Sequence, residues 1–191
     1  GDVGDAAVSE SEIEVDTDPA VIEDADVVVV TVPTPVTDEN DPNLDFVEQA
    51  SATVGEHLSA GATVVLESTV FPGATREIVA PTIEETSGFK LGEEFSVGYS
   101  PERLVPGDDA HSLENVVKIV SGSDDETLVE LIALYESIVD VGVHEAPSLE
   151  VAEAAKCIEN VQRDVNIALI NELAVACDRL GIDSNAVLEA A

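Results

Sequence analysis

Basic residues are what this sequence has least of: 7 Lys and Arg stand against 41 Asp and Glu in 191 residues, a formal net charge of -34. A shell this acidic repels phosphate backbones and anionic lipid, which sets aside nucleic-acid and membrane-surface partners. The 2 cysteines, Cys157 and Cys177, are too few and too poorly spaced for a disulfide framework or a zinc site, and both read as reduced core residues. Cys157 adjoins Lys156, but one step along a helix turns the side chain by about 100°, so it does not read as a nucleophile. No run of 18 apolar residues and no signal-peptide pattern occur, and the expectation is a soluble cytoplasmic protein with no membrane span. There is no D-x-D-x-D-G loop for calcium and no G-x-G-x-x-G phosphate loop. An initiator Met is missing from GDVGDAAVSE, and the chain stops at Ala191 soon after Asp183 would open another helix. We therefore expect a piece of a longer protein.

What is present argues for a folded core. Hydrophobic residues make up 45% of the chain and mean hydropathy is positive, which excludes disorder despite the charge. The acids then belong to a folded surface, and self-repulsion of this size reads as halophilic, because at about 1 M salt the Debye length falls to ~3 Å. Scarcity also makes each surviving cation informative. Lys156 and Arg163 fall in a long helical stretch and Arg103 in a short motif, whereas Arg76, Lys90, Lys118 and Arg179 read as solvated ion pairs.

Along the chain, Ile13 to Thr17 alternates like a short strand, and Asp18-Pro19 opens a helical turn. The run DVVVVTV from Asp26 to Val32 has no polar face and reads as a central parallel strand covered on both sides. A helix follows from about Leu44 to Leu58, a strand from Ala62 to Leu66, and a helix from near Ala74 that Pro81 kinks or ends. Strands at Phe95 to Tyr99, Val116 to Val120 and Val141 to His144 enclose a helix at about Glu126 to Ile138. Alternating strands and helices with nearly all-apolar strands predict an α/β doubly wound parallel sheet. Ligands of such sheets bind beyond the carboxyl ends of the strands, so the loops PTP at 33–35, STVFPG at 68–73 and SPER at 100–103 should line one crevice.

The sheet leads into one long helix over 148–180. Ser148 is its N-cap, Glu150 and Glu153 sit at the positive end of its dipole, and Gly181 is the residue past its end. Leu149, Ala152, Ala155, Ile158, Val161, Val165, Ala168, Leu169 and Leu173 recur at three and four, so one face packs against something. Lys156 and Asn160 stand four apart with Arg163 a turn later, and Asn166 and Asn171 fall among apolar residues, where amides need partners. This pattern reads as a polar site built on a rigid helix.

Three blocks together resemble the nucleotide-sugar dehydrogenase family, whose members act on UDP-glucose, GDP-mannose and UDP-N-acetylmannosamine. They are DVVVVTVPTP (26–35) with ESTVFPGAT (67–75), YSPERLVPGDDAHSLENVVKIVSG (99–122), and EVAEAAKCIENVQRDVNIALINELAVACDRLGID (150–183). The resemblance implies a partial Rossmann-like NAD-binding domain over 1–147 and the start of the central helical dimerisation domain over 148–191. It implies NAD as cofactor, a UDP-sugar as substrate, a homodimer through the helix 148–180, a place in polysaccharide biosynthesis, and oxidation of a sugar 6-hydroxyl to a carboxylate through a cysteine-bound thioester. On that basis Lys156 and Asn160 resemble the oxyanion pair, Thr69 the water-ordering hydroxyl beside the nicotinamide, Glu102 the carboxylate of thioester hydrolysis, and Thr34 a residue lining the NAD site. Arg103, Lys156, Asn160 and Arg163 are the candidates for holding substrate.

PER with Pro106, in place of PEF and a second glutamate, is similar to the N-acetylhexosamine branch, UDP-N-acetyl-D-mannosamine dehydrogenases above all. The family's glycine loop and nucleophilic cysteine are not in this chain, which is therefore expected to be inactive by itself. Two alternatives stand beside this reading: a hydroxyacid dehydrogenase of the 6-phosphogluconate type, which also carries K-x-x-x-N on a long helix, and an assembly fragment that dimerises without catalysis.

Unscreened repulsion among 41 acids should weaken the fold below molar salt. Thermal melts in dilute and in multimolar KCl are expected to show a midpoint that rises with salt, and an unchanged midpoint would reject the halophilic reading.

Overall fold

The structure is a computed structural model that describes residues 13–103 and 116–191. The N-terminal GDVGDAAVSE, and Pro106 with its flanking segment, lie outside the described residues. The chain divides into two compact units, Gly1–Ala154 and Ala155–Ala191.

In the first unit Asp18 accepts the N–H of Ala20 and Pro19 opens a 3-10 turn, Pro19–Asp24, as the Asp-Pro pair predicts. The strand expected at 13–17 is not formed; Ile13 and Val15 are exposed, and a short alternating segment with no strand beside it among the described residues buries nothing. Among the described residues five strands, β1 (Val27–Val30), β2 (Thr63–Leu66), β3 (Ser96–Tyr99), β4 (Lys118–Gly122) and β5 (Val143–Glu145), form one 5-stranded sheet in chain order. Pairs β1–β2, β2–β3 and β4–β5 are parallel, and β3–β4 is antiparallel, with Gly98 opposite Gly122 and Tyr99 opposite Ser121. The α/β class is as the sequence predicts, but the sheet is mostly parallel rather than wholly so. β4 re-enters at the edge where β3 leaves, so it runs back along its neighbour without a return crossover. β1 was expected at the centre; among the described residues it lies at the end of the strand order, and its Val29 is 44% exposed.

Crossover β1–β2 passes through α1 (Asp45–His57), and crossover β2–β3 through a π-helical turn, Thr75–Val79, that runs into α2 (Ala80–Ser87). Right-handed crossovers stepping the same way place α1 and α2 on one face of the sheet, in contact with each other. Pro81 does not end this helix. Its ring would clash with the carbonyl four residues back in an α-helix, and the wider π turn just before it relieves that clash. The other face is covered by α3 (Asp125–Glu136), capped by the Asp124 side chain on the Thr127 N–H, where Leu131 and Tyr135 pack on Val65 and Val120. Two glycines admit this helix: a Cβ on Gly98 would meet Leu131 Cδ1, and one on Gly122 would meet Leu128 N at 2.6 Å and Asp124 O at 2.9 Å.

Helix α4, Leu149–Leu180, begins where Ser148 Oγ accepts the Val151 N–H (3.3 Å), and its first turns bury Leu149 and Ala152 in the first unit. The second unit holds the rest of α4 and α5 (Ser184–Ala190), joined through Gly181 at φ 69° and the Asp183 N-cap. From Ile158 onward the apolar stripe is uncovered: Ile158, Val161, Val165, Leu169 and Leu173 are exposed, as are the amides Asn166 and Asn171, for which buried partners were expected. Cys157 and Cys177 are half-buried rather than core residues. Among the described residues no helix is long and apolar enough to cross a membrane.

Gly122→Ala should cost about 1–3 kcal/mol, because backbone atoms of α3 cannot yield to the added methyl. Gly98→Ala should cost less, since the Leu131 side chain can turn aside. Denaturant unfolding of both variants at high salt checks this order.

Candidate functional site: a cleft at the carboxyl ends of the strands

Because β1, β2 and β3 are parallel, their carboxyl ends emerge at one edge, and the loops that follow are laced together there. The Glu67 N–H donates to Val30 O (2.9 Å), Ser68 Oγ to Val32 O (2.6 Å), the Ser100 N–H to Leu66 O (3.1 Å) and the Glu102 N–H to Glu67 O (3.4 Å). Pro33 and Pro35 cannot donate a ladder bond and turn the chain out of β1. The result is a cleft of about 380 Å³ lined by residues 31–34, 67–69 and Glu102. It brings together Thr34, Thr69 and Glu102, three residues singled out in the sequence, and all three loops expected at one crevice contribute to it. Thr34 and Thr69 are half-buried and Glu102 is exposed at the cleft. Arg103, beside it, turns its guanidinium to the Val117 carbonyl (Nη1 to O, 2.9 Å).

Beneath the cleft lies a charged group that sequence reasoning misplaced. Lys118, expected as a solvated cation, is 6% exposed. Its Nζ lies 3.0 Å from Glu67 Oε1 and 3.8 Å from Glu102 Oε2, and 5.2 Å over the Tyr135 ring. The Tyr135 hydroxyl donates to the same Glu67 oxygen at 2.6 Å. Burial, with the Glu67 carboxylate as second cause, pushes the Tyr135 phenol far above its ordinary range, so it remains a donor. In an all-parallel sheet the first residue of a strand lies at the far edge. The antiparallel β4 reverses this, and its register with β3, carried three residues on, sets Lys118 beside Glu102.

A second buried carboxylate, Glu153, anchors the back of the β2 loop. It accepts from Gly73 N (2.5 Å), Thr75 N (2.8 Å) and Thr75 Oγ1 (2.6 Å), while Glu150 pairs with Arg76 at 3.0 Å. The sequence marks Glu153 only as a carboxylate at a helix start; its place three residues before Lys156, inside an apolar stripe, is the signal that it is buried. Glu150 is held below the usual carboxylate range by Ser148, its own N–H and Arg76.

In the second unit Lys156 is buried at 8% exposure, not solvated, and Asn160, one turn on, is half-buried. Arg163 is exposed and pairs with Glu159 at 3.0 Å. Asn160 and Arg163 border a shallow groove of about 370 Å³. A larger hollow of about 600 Å³ lies at the opposite end of the sheet, under Glu93, Glu94, Asp124, Glu126 and Glu130, away from every candidate residue.

Glu153→Ala should destabilise the first unit by several kcal/mol, since it leaves two backbone donors and a hydroxyl buried without their acceptor. Hydrogen exchange at Gly73 and Thr75 should accelerate with it, and unchanged protection there would show that the loop is held by other means.

Against known proteins, residues 2–139 match the NAD binding domain of the UDP-glucose/GDP-mannose dehydrogenase family, and residues 150–191 match its central domain. The UDP-N-acetyl-D-glucosamine 6-dehydrogenase of Pseudomonas aeruginosa is 48% identical over 89% of this chain and 40% of its own length. The UDP-N-acetyl-D-mannosamine dehydrogenase of Pyrococcus horikoshii is 35% identical over 87% of this chain and 39% of its own. The solved structure of a UDP-D-ManNAc dehydrogenase from Pyrococcus horikoshii superposes with a TM-score of 0.88 at 32% identity, covering 97% of this chain and 44% of that one. The chain thus spans about two fifths of the length of these relatives. With well over half its residues matching one domain of the family and the remainder continuing into the next, the chain belongs to the UDP-glucose/GDP-mannose dehydrogenase family.

Proposed function

We propose that the protein carrying this chain oxidises the 6-hydroxyl of a UDP-sugar, UDP-N-acetylmannosamine, to the uronic acid in two NAD-dependent steps through an enzyme-bound thioester. The observation that carries the reading is the cleft in which Thr34, Thr69 and Glu102 meet, inside the segment that matches the family's NAD binding domain. UDP-N-acetylglucosamine is the second reading for the sugar, favoured by the 48% identity to an enzyme named for it against 35% to one named for the mannosamine. On this proposal residues 1–147 are part of the NAD-binding domain and 148–191 open the central helical domain. The exposed stripe of Ile158, Val161, Val165, Leu169 and Leu173 supports a homodimer through α4. The acidic surface supports a soluble cytoplasmic protein at high internal salt.

The cleft fits one end of the cofactor. Its volume suits a mononucleotide half, its threonine hydroxyls and loop carbonyls suit a carboxamide and a ribose, and its carboxylates suit a nicotinamide cation but would repel a pyrophosphate. Bound NAD supplies the hydride acceptor for each oxidation. Thr34 and Thr69 then orient the ring end, and Thr69 holds the water needed in the second half of the reaction. Lys156 and Asn160, four apart on one helix face, donate to the oxyanion of each tetrahedral centre. Glu102 removes the proton of the attacking water as the thioester is hydrolysed.

In the full-length protein Lys156→Ala should lower turnover roughly 10²-fold or more with either UDP-N-acetylhexosamine. Glu102→Gln should spare the first hydride transfer and let a covalent adduct accumulate, read by mass spectrometry of the quenched enzyme. Turnover that survives Lys156→Ala with both sugars would overturn the assignment on α4 and favour an assembly role.

A further inference from the structure

We infer that Lys118 is a positioning residue for Glu102: the buried ammonium holds the cleft carboxylate in the place from which it acts. The inference rests on the proposed role of Glu102 and goes beyond it by naming the group through which that role is maintained.

An ammonium this deeply buried is costly unless carboxylates answer it, and Glu67 does so at 3.0 Å. A purely structural pair would end there. Glu67 Oε1 is also taken by the Tyr135 hydroxyl at 2.6 Å, and the Tyr135 ring lies under the ammonium, so Lys118 is fixed from two sides. What it presents beyond Glu67 is directed to Glu102, 3.8 Å away, whose side chain is 49% exposed where it lines the cleft. The main chain brings the same partners together, because the Glu102 N–H donates to the Glu67 carbonyl while the Glu67 N–H donates to Val30 at the end of β1. A glutamate half in solvent has several rotamers of similar energy. A fixed cation 3.8 Å away lowers the energy of the rotamers that face it, and a misplacement of about 1 Å at a reacting group can cost 10²-fold.

The test uses single turnovers of the full-length enzyme with UDP-N-acetylhexosamine, reading the first NADH formed and the covalent adduct by mass. Lys118→Met should leave the first hydride transfer within about twofold and slow adduct hydrolysis roughly 10- to 100-fold. Lys118→Arg should restore most of that loss. Lys118→Met combined with Glu102→Gln should be no slower than Glu102→Gln alone, since a residue that acts through Glu102 has nothing left to act on. Should Lys118→Met fail to fold, Lys118→Gln takes its place in the same series. Equal slowing of both steps, full additivity in the double variant, or unimpaired hydrolysis would each overturn the inference. If Glu102→Gln itself accumulates no adduct, the role of Glu102 falls. If Glu102→Gln accumulates adduct and the Lys118 variants do not, only the positioning role falls.

Discussion

A carboxylate removed from water must be answered by donors, and Glu153 is answered by one short segment, Gly73 to Thr75, at the entry to the π turn. The front of the same loop is held by the Glu67 and Ser68 bonds to the strand and loop beside it. The stretch that carries Thr69 is therefore clamped at both ends, to the sheet on one side and to the first turns of α4 on the other. Pulling either clamp would strand a buried charge or an unpaired amide, a cost of several kcal/mol in an interior of this kind. The loop is thus fixed at both ends by buried hydrogen bonds.

Much of this was legible in the sequence because it is local. Asp18-Pro19, Ser148 and Asp183 cap helical turns as their side chains dictate, and β-branched runs form the strands. The loops after β1, β2 and β3 meet because parallel strands leave a sheet at one edge. Lys118 was not legible because its environment is set by one long-range fact, the reversal of β4. A reading that assumes parallel strands sends it to the wrong edge. The outer turns of α4 show the opposite failure: the periodicity is correctly that of an amphipathic helix, but its apolar stripe has no cover among the described residues.

The scarce cations divide instructively. Arg76, Lys90 and Arg163 each face one carboxylate at the surface, the ordinary fate of a basic residue among so many acids. Lys118 and Lys156 are the two lysines withdrawn from solvent. In a protein whose exterior is saturated with negative charge, a positive charge gains little specificity at the surface, where any of dozens of acids will serve as partner. It gains it inside, where burial restricts the partners to those the fold supplies.

The π turn at Thr75–Val79 has a geometric consequence of its own. A π turn carries one residue more than the α-helical turn it replaces, so the helix after it is indexed one step out of phase with the segment before it. Losing a single residue there would restore regular pitch and rotate Gly73 and Thr75 about the helix axis by about 100°, carrying their N–H groups off Glu153. Chain length in this turn therefore sets an azimuth: it works as a vernier between the sheet and the long helix, and a one-residue deletion at the surface would be felt as a misalignment inside.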